Sequence, residues 1–143
     1  MTVQQIAASL GGEKALHHKI KNTIDFDQVI RQGIPWNAGK HIKQILGLKD
    51  DQFADFLGMS VRTMMRRKSE RRMSPVESDR LFRLAKIYTL AVEVFEDGDM
   101  AIKWLNREQI GLGGRRPLEM IQTEAGEKEV ENLLGRIEYG VLD

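Results

Sequence analysis

The segment Ser74-Pro75-Val76-Glu77 constrains the fold of this chain more than any other local feature. Ser at a helix cap and Glu closing the box satisfy backbone N–H groups that a helix start leaves orphaned, and Pro at the first helical position removes another. An apolar stripe follows. Leu81, Leu84, Ala85, Tyr88, Ala91, Val92 and Phe95 recur at helical spacing, and Phe82 and Val94 widen it. So broad a stripe predicts a central helix contacted from several sides, ended by Asp97-Gly98-Asp99. Helical spacing recurs elsewhere and strict apolar/polar alternation over a strand length does not, so the expected fold class is all-α.

Other helix boundaries follow from the same chemistry. Asp25 with Gln28 reads as a capping-box start, Gly33 as a stop, and Pro35 as the first turn of the next helix. Ala38, Ile42, Ile45 and Leu46 share a face there, and Gly47 ends it. A short helix is expected from Asp50 to Leu57, then a Gly58-Met59-Ser60 turn whose Ser60 caps the next helix. Met100 to Leu105 read as a short helix and residues 106–122 as an irregular connection with Gly111, Gly113, Gly114 and Pro117. The last helix begins after Thr123, with Val130, Leu133, Leu134, Ile137 and Val141 along one face. Gly126 and Gly135 each cost about 1 kcal/mol there relative to Ala, which predicts close backbone approach. The residues before Asp25 support no assignment. The expected organisation is an N-terminal segment 1–24, a helix-turn-helix domain 25–96 and a C-terminal domain 97–143.

At 143 residues the chain is too short for a large α/β enzyme with a deep cofactor cleft. It has no Cys, hence no disulfide framework and no thiol nucleophile, in keeping with a reducing, cytoplasmic setting. No signal-like core and no membrane-length apolar run is present. The net charge of +1 is unevenly spread. Residues 61–90 carry nine bases and three acids, a net of +6, while residues 117–143 carry two bases and seven acids, a net of −5. Such asymmetry points to two surfaces with different partners, one of them polyanionic.

The basic stretch overlaps a helix-turn-helix pattern over residues 50–68. Gly58 suits the sharp turn, Ala54 lets the second helix cross closely, and Phe53, Leu57, Met59 and Met64 can form the seam. Ser60, Arg62, Thr63, Arg66 and Arg67 remain as the candidate exposed face for the major groove, with Lys68, Arg71 and Arg72 neutralising phosphates. Met65 and Met73 are read with the other methionines as packing residues. His17-His18 point in different directions on a helix and suggest no metal. The Gly111-Leu112-Gly113-Gly114 run lacks the features of a phosphate loop, and the acidic positions of the last helix have no nucleophile beside them. No enzyme, cofactor or metal is expected.

Three C-terminal motifs carry a family resemblance. Leu112-Gly113-Gly114-Arg115-Arg116-Pro117-Leu118, Thr123-Glu124-Ala125-Gly126 and the run from Val130 through Glu138-Tyr139-Gly140-Val141 closely resemble the C-terminal domain of Xre/MbcA/ParS-type antitoxins. Leu57-Gly58-Met59-Ser60-Val61-Arg62-Thr63 and Ser74 to Leu81 are similar to the Xre-like half of that family, so the resemblance covers roughly residues 10–143. Lys49 stands where the family usually has a capping Ser or Thr, leaving Asp50 to cap. The resemblance implies an Xre-like helix-turn-helix bundle with a small helical toxin-binding domain. It implies a type II antitoxin that blocks the active site of a RES-domain, NAD-consuming toxin and represses its own operon. Arg115, Arg116, Pro117 and Leu118 would then begin the toxin-binding segment, and Tyr139, Gly140 and Val141 would end it. The expected partners are that toxin, operator DNA and a second copy of the chain, with Trp36, Ile42 or the N-terminal segment as candidates for the dimer surface. The alternatives are a stand-alone helix-turn-helix regulator whose C-terminal domain binds another protein or effector, and a protein-interaction adaptor whose basic helix is merely solvated.

Overall fold

Thr2 opens the first helix, α1 (Val3–Ser9), in a computed structural model that describes residues 1–140. Its side chain accepts from the Gln5 N–H, and Gln5 returns the bond to the Thr2 N–H, a reciprocal capping box. The chain divides into two compact units, Met1–Ala85 and Lys86–Asp143. Every regular element assigned among the described residues is helical, and none is long and apolar enough to cross a membrane.

In the first unit α1 is followed by α2 (Gly12–Leu16), α3 (Thr23–Gln32), α4 (Trp36–Leu46), α5 (Asp50–Leu57), α6 (Val61–Glu70) and the first half of α7 (Pro75–Phe95). Leu10, Phe26, Ile34, Ile42, Phe53, Leu57, Met64, Leu81 and Leu84 are fully buried. The Phe26 and Phe82 rings meet at 4.7 Å, and Trp36 meets Phe53 edge-on at 6.3 Å. Trp36 and Ile42 are therefore core residues, which removes them from any dimer surface. Leu10, Leu16 and Ile20 bring the N-terminal residues into the same core, and the Ser9 carbonyl lies 3.0 Å from His41 Nδ1 on α4.

Two expected caps are displaced by one turn or less. Asn22, not Asp25, caps α3: its side chain accepts from the Asp25 N–H, while the Asp25 carboxylate accepts from the N–H groups of Lys21 at 2.7 Å and Asn22 at 3.2 Å. The Lys21 bond above all holds the Asp25 carboxyl below its ordinary pKa. Asp50 likewise does not cap α5. It pairs with Lys43 at 2.9 Å, and the Lys49 N–H is satisfied by Gln52. The capping box that opens α7 forms as expected, with Ser74 Oγ accepting from the Glu77 N–H and Glu77 accepting from the Ser74 N–H.

The second unit holds the rest of α7, then α8 (Gly98–Leu105), a 3-10 turn (Ile110–Leu112), α9 (Pro117–Met120) and α10 (Glu124–Glu138). Asp97 caps α8 by accepting from Asp99 and Met100, so this helix starts at Gly98 and not at Met100. Ala101, Leu105, Leu112, Ile121, Val130 and Leu134 are buried, and Phe95 stacks at a tilt on Trp104 at 5.7 Å. Thr123 caps α10 through the Gly126 N–H. Gly126 is required by close approach, because a Cβ there would overlap the Met120 carbonyl oxygen. Gly135 is different: nothing lies within 4 Å of where its Cβ would be.

Candidate functional site

A sharp turn between packed helices needs a residue at positive φ, and Gly58 supplies it at φ 74°. The chain reverses there with the Met59 N–H donating to the Ala54 carbonyl at 2.9 Å. Arg80 reaches in from α7 and its Nη1 donates to the Leu57 carbonyl at 2.8 Å, closing the end of α5. A Cβ at Gly58 would overlap that same Nη1. Gly58→Ala combines left-handed strain with displacement of Arg80, so it is expected to cost about 2–3 kcal/mol in a thermal melt. A melt unchanged within error would contradict this account of the turn.

The structure sorts the eight sequence-derived contact residues. Ser60 caps α6 by accepting from the Thr63 N–H at 3.1 Å, and its hydroxyl also donates to Thr63 Oγ1 at 3.1 Å, so both hydroxyls are engaged locally. Arg62, Arg66 and Lys68 are exposed on α6, and Arg71, at φ 65°, sits at its C-terminal cap. Arg67 is instead built into the fold: its Nε donates to Glu77 at 2.8 Å and its Nη1 lies 3.4 Å from Glu70. Arg72 Nη1 donates to the carbonyls of Gln32 at 3.3 Å and Gly33 at 2.9 Å, fixing the α3–α4 connection. Met65 is not a packing residue. It is 43% exposed and Val61 is 40% exposed, both on α6.

The charge of the 61–90 stretch is also redistributed. Arg80 is committed to Leu57, and Arg83 pairs with Asp79 at 3.4 Å. Lys86 belongs to the second unit, where it pairs with Glu127 and, at 3.0 Å, with Glu131 of α10. Burial opposes its charge, but the two carboxylates outweigh that and hold its pKa above the ordinary value. The cationic surface thus narrows to α6 and the residues just after it.

In the second unit a tight turn presents the residues before α9. The Gln109 N–H donates to the Arg115 carbonyl at 3.1 Å and the Gly114 N–H to the Gln109 carbonyl at 2.9 Å. Gly113 and Gly114 take the left-handed conformation that this turn needs. Ile110 lies within it and is 99% exposed. Arg115 and Arg116 are exposed, the latter 3.0 Å from Glu119, whereas Pro117 is buried and Leu118 half-buried, so those two serve the packing of α9. At the other end Tyr139 is 80% exposed. Gly140 is exposed at φ 69°, and Val141 lies outside the described residues. Glu131, Asn132, Gly135, Arg136 and Tyr139 line an open groove along this end of α10.

Comparison with known proteins falls on the same two regions. Residues 25–86 match the antitoxin Xre-like helix-turn-helix domain, and residues 90–140 match the antitoxin Xre/MbcA/ParS C-terminal toxin-binding domain. The chain is 34% identical over 128 residues to "Antitoxin Xre" of Photorhabdus laumondii, covering 77% of this chain and 86% of that relative. The chain belongs to the Xre/MbcA/ParS-type antitoxins. Shorter matches agree. "Antitoxin Xre" of Yersinia enterocolitica is 38% identical over 87 residues, 59% of each protein, and that of Pseudomonas putida is 39% identical over 64 residues, 45% of this chain and 40% of the relative. The antitoxin is a non-enzymatic member of a toxin-antitoxin pair, with a helix-turn-helix unit and a toxin-binding unit. Sequence reasoning missed Val61, Met65 and Ile110 as surface features of the antitoxin. Val61 and Met65 share one row of α6 at i and i+4, a signal that spacing alone could have flagged. Ile110 carried no such signal, since only the closed turn around it turns an isolated apolar residue into an exposed one.

Proposed function

We propose that the antitoxin neutralises a RES-domain, NAD-consuming toxin by occluding its active site with the C-terminal segment. In this reading it also acts in the cytoplasm as a homodimer that represses its own operon through α6. The observation that carries the toxin half is the exposed end of α10. Tyr139 stands 80% exposed beside a groove that includes Gly135, a helical glycine with no internal packing to justify it. A glycine with open space beside it is accounted for by close approach of a partner surface. The exposed Ile110 and the Arg115–Arg116 pair supply an apolar anchor and a polar rim. Exposed Glu124, Glu129 and Glu138 favour approach to a basic cleft of the kind that receives a phosphate-bearing nucleotide. The repressor half rests on the exposed cations of α6.

Deleting the chain from Thr123 would remove Val130 and Leu134 from the core, so point changes at exposed positions are the cleaner test. Tyr139→Ala with Ile110→Ser is expected to weaken binding of a purified RES-domain toxin at least about thirtyfold, the loss of one interface hot spot. Co-expression should then let cellular NAD fall and growth stop. Toxin affinity equal to that of the unaltered antitoxin would exclude this surface.

A further inference from the structure

The exposed face of α6 has two chemically distinct rows. At about 100° per residue, Arg62 and Arg66 fall on one line, and Val61 and Met65 on the next. Across from the Arg62–Arg66 line Met64 is buried, so the Val61–Met65 row borders the core-facing side, and across from that row Arg67 is tied to Glu77. Val61 and Met65 are 40% and 43% exposed, although a helix with four basic residues gains nothing in solubility from an apolar row. That row is bounded by Arg62 and Arg66 on one side and by the exposed Lys68 on the other, so charge complementarity favours an occupant that is anionic on both flanks and apolar between them. The major groove of DNA has both properties: phosphates flank it, and the thymine 5-methyl group is the apolar feature on its floor. Ser60 and Thr63, the hydroxyls nearest the helix start, are bonded to each other and to the cap, which leaves the two rows as the reading surface.

We propose that Val61 and Met65 determine operator specificity by packing against thymine methyl groups adjacent to the bases or phosphates held by Arg62 and Arg66. This rests on the reading of α6 as the DNA-contacting helix. It predicts an operator half-site in which thymine is required at one or two positions for its methyl group and not for its hydrogen-bonding edge.

The test uses the full antitoxin and a pool of randomised duplexes. The duplex it enriches is resynthesised with single thymines replaced by uracil, which pairs identically and lacks only the methyl. Binding is expected to weaken about three- to fivefold at one or two positions, the contribution of one buried methyl-sized group. In Val61→Ala/Met65→Ala the same replacements should change affinity less than about 1.5-fold, a coupling between side chain and methyl. Circular dichroism should be unchanged, since both positions are exposed and Ala favours the helix. Enrichment of a specific duplex that binds equally with uracil at every position would overturn the proposal and leave the DNA reading standing. Failure to enrich any duplex would overturn both. Unchanged uracil sensitivity in the double variant, accompanied by altered self-association or toxin affinity, would reassign the row to a protein contact.

Discussion

Arg62→Ala combined with Arg66→Ala is expected to weaken binding to a specific duplex about a hundredfold, with helix content and melting temperature nearly unchanged. A bidentate Arg–guanine contact contributes about 1–3 kcal/mol, and each 1.4 kcal/mol is tenfold. Both residues are exposed on α6, so neither removal opens a cavity. The Arg66–Glu70 pair spans 3.4 Å between side chains that are 62% and 51% exposed, and such a pair adds little stability in water. Salt dependence separates the two kinds of contact. Removing a side chain that touches a phosphate lowers the slope of log affinity against log salt by about 0.9, whereas removing one that touches a base relaxes sequence preference instead. A gel shift that survives both changes would mean that α6 is not the recognition element.

Glu77→Ala should destabilise the antitoxin by about 2–3 kcal/mol, the combined loss of a helix-start box and of a charge-assisted bond to a partly exposed arginine. Glu77 is 8% exposed and satisfies two elements at once, accepting from Arg67 Nε at 2.8 Å and from the Ser74 N–H at 2.9 Å. Its loss leaves Arg67 half-buried without its principal partner and removes the box that starts α7. For a chain of this size the melting temperature should fall by roughly 10 °C. The effect is pH-dependent. Burial alone would raise the Glu77 pKa, but the bonds from Arg67 and Ser74 outweigh it and hold the carboxyl below its ordinary 4.5. A folded-state pKa below the unfolded one gives stability that is complete above about 4.5 and is lost as pH falls through the folded value. Arg67, raised above its ordinary value chiefly by Glu77, stays charged throughout. Urea melts between about pH 3 and pH 7 should show a steeper acid loss in the unaltered chain than in Glu77→Gln, where Asp25, also held below its ordinary pKa, still contributes. An identical acid limb in both would show that the Arg67–Glu77 pair does not set it.

The parts of the fold that local chemistry decides were legible. Ser60, Ser74 and Thr123 cap the helices that their sequence neighbourhoods announce, because a cap requires only one side chain and an N–H two or three residues away. Thr2 and Gln5 form an equally local box, but no long apolar run stands behind it to point to a helix. Asn22 and Asp25 compete for one role, and the Lys21 and Asn22 N–H groups decide it by turning toward the Asp25 carboxylate. The candidate site was legible as a region but not residue by residue. Counting charges cannot tell that Glu77 comes under Arg67, or that Arg72 closes on Gly33, since both depend on how α6 returns to its neighbours. Gly126 and Gly135 look alike in sequence, yet the Met120 carbonyl justifies only the first.

In the proposed reading one chain carries two separable functions, DNA contact through α6 and toxin contact through the exposed end of α10 with the Ile110 turn. The most direct measurement titrates three folded proteins against both partners: the unaltered antitoxin, Arg62→Ala/Arg66→Ala and Tyr139→Ala/Ile110→Ser, each against the enriched duplex and against the RES-domain toxin. The first variant should lose duplex binding about a hundredfold and keep toxin affinity, and the second should do the reverse, by about thirtyfold. Equal loss of both activities in either variant, with its circular dichroism intact, would contradict the separation of the two functions.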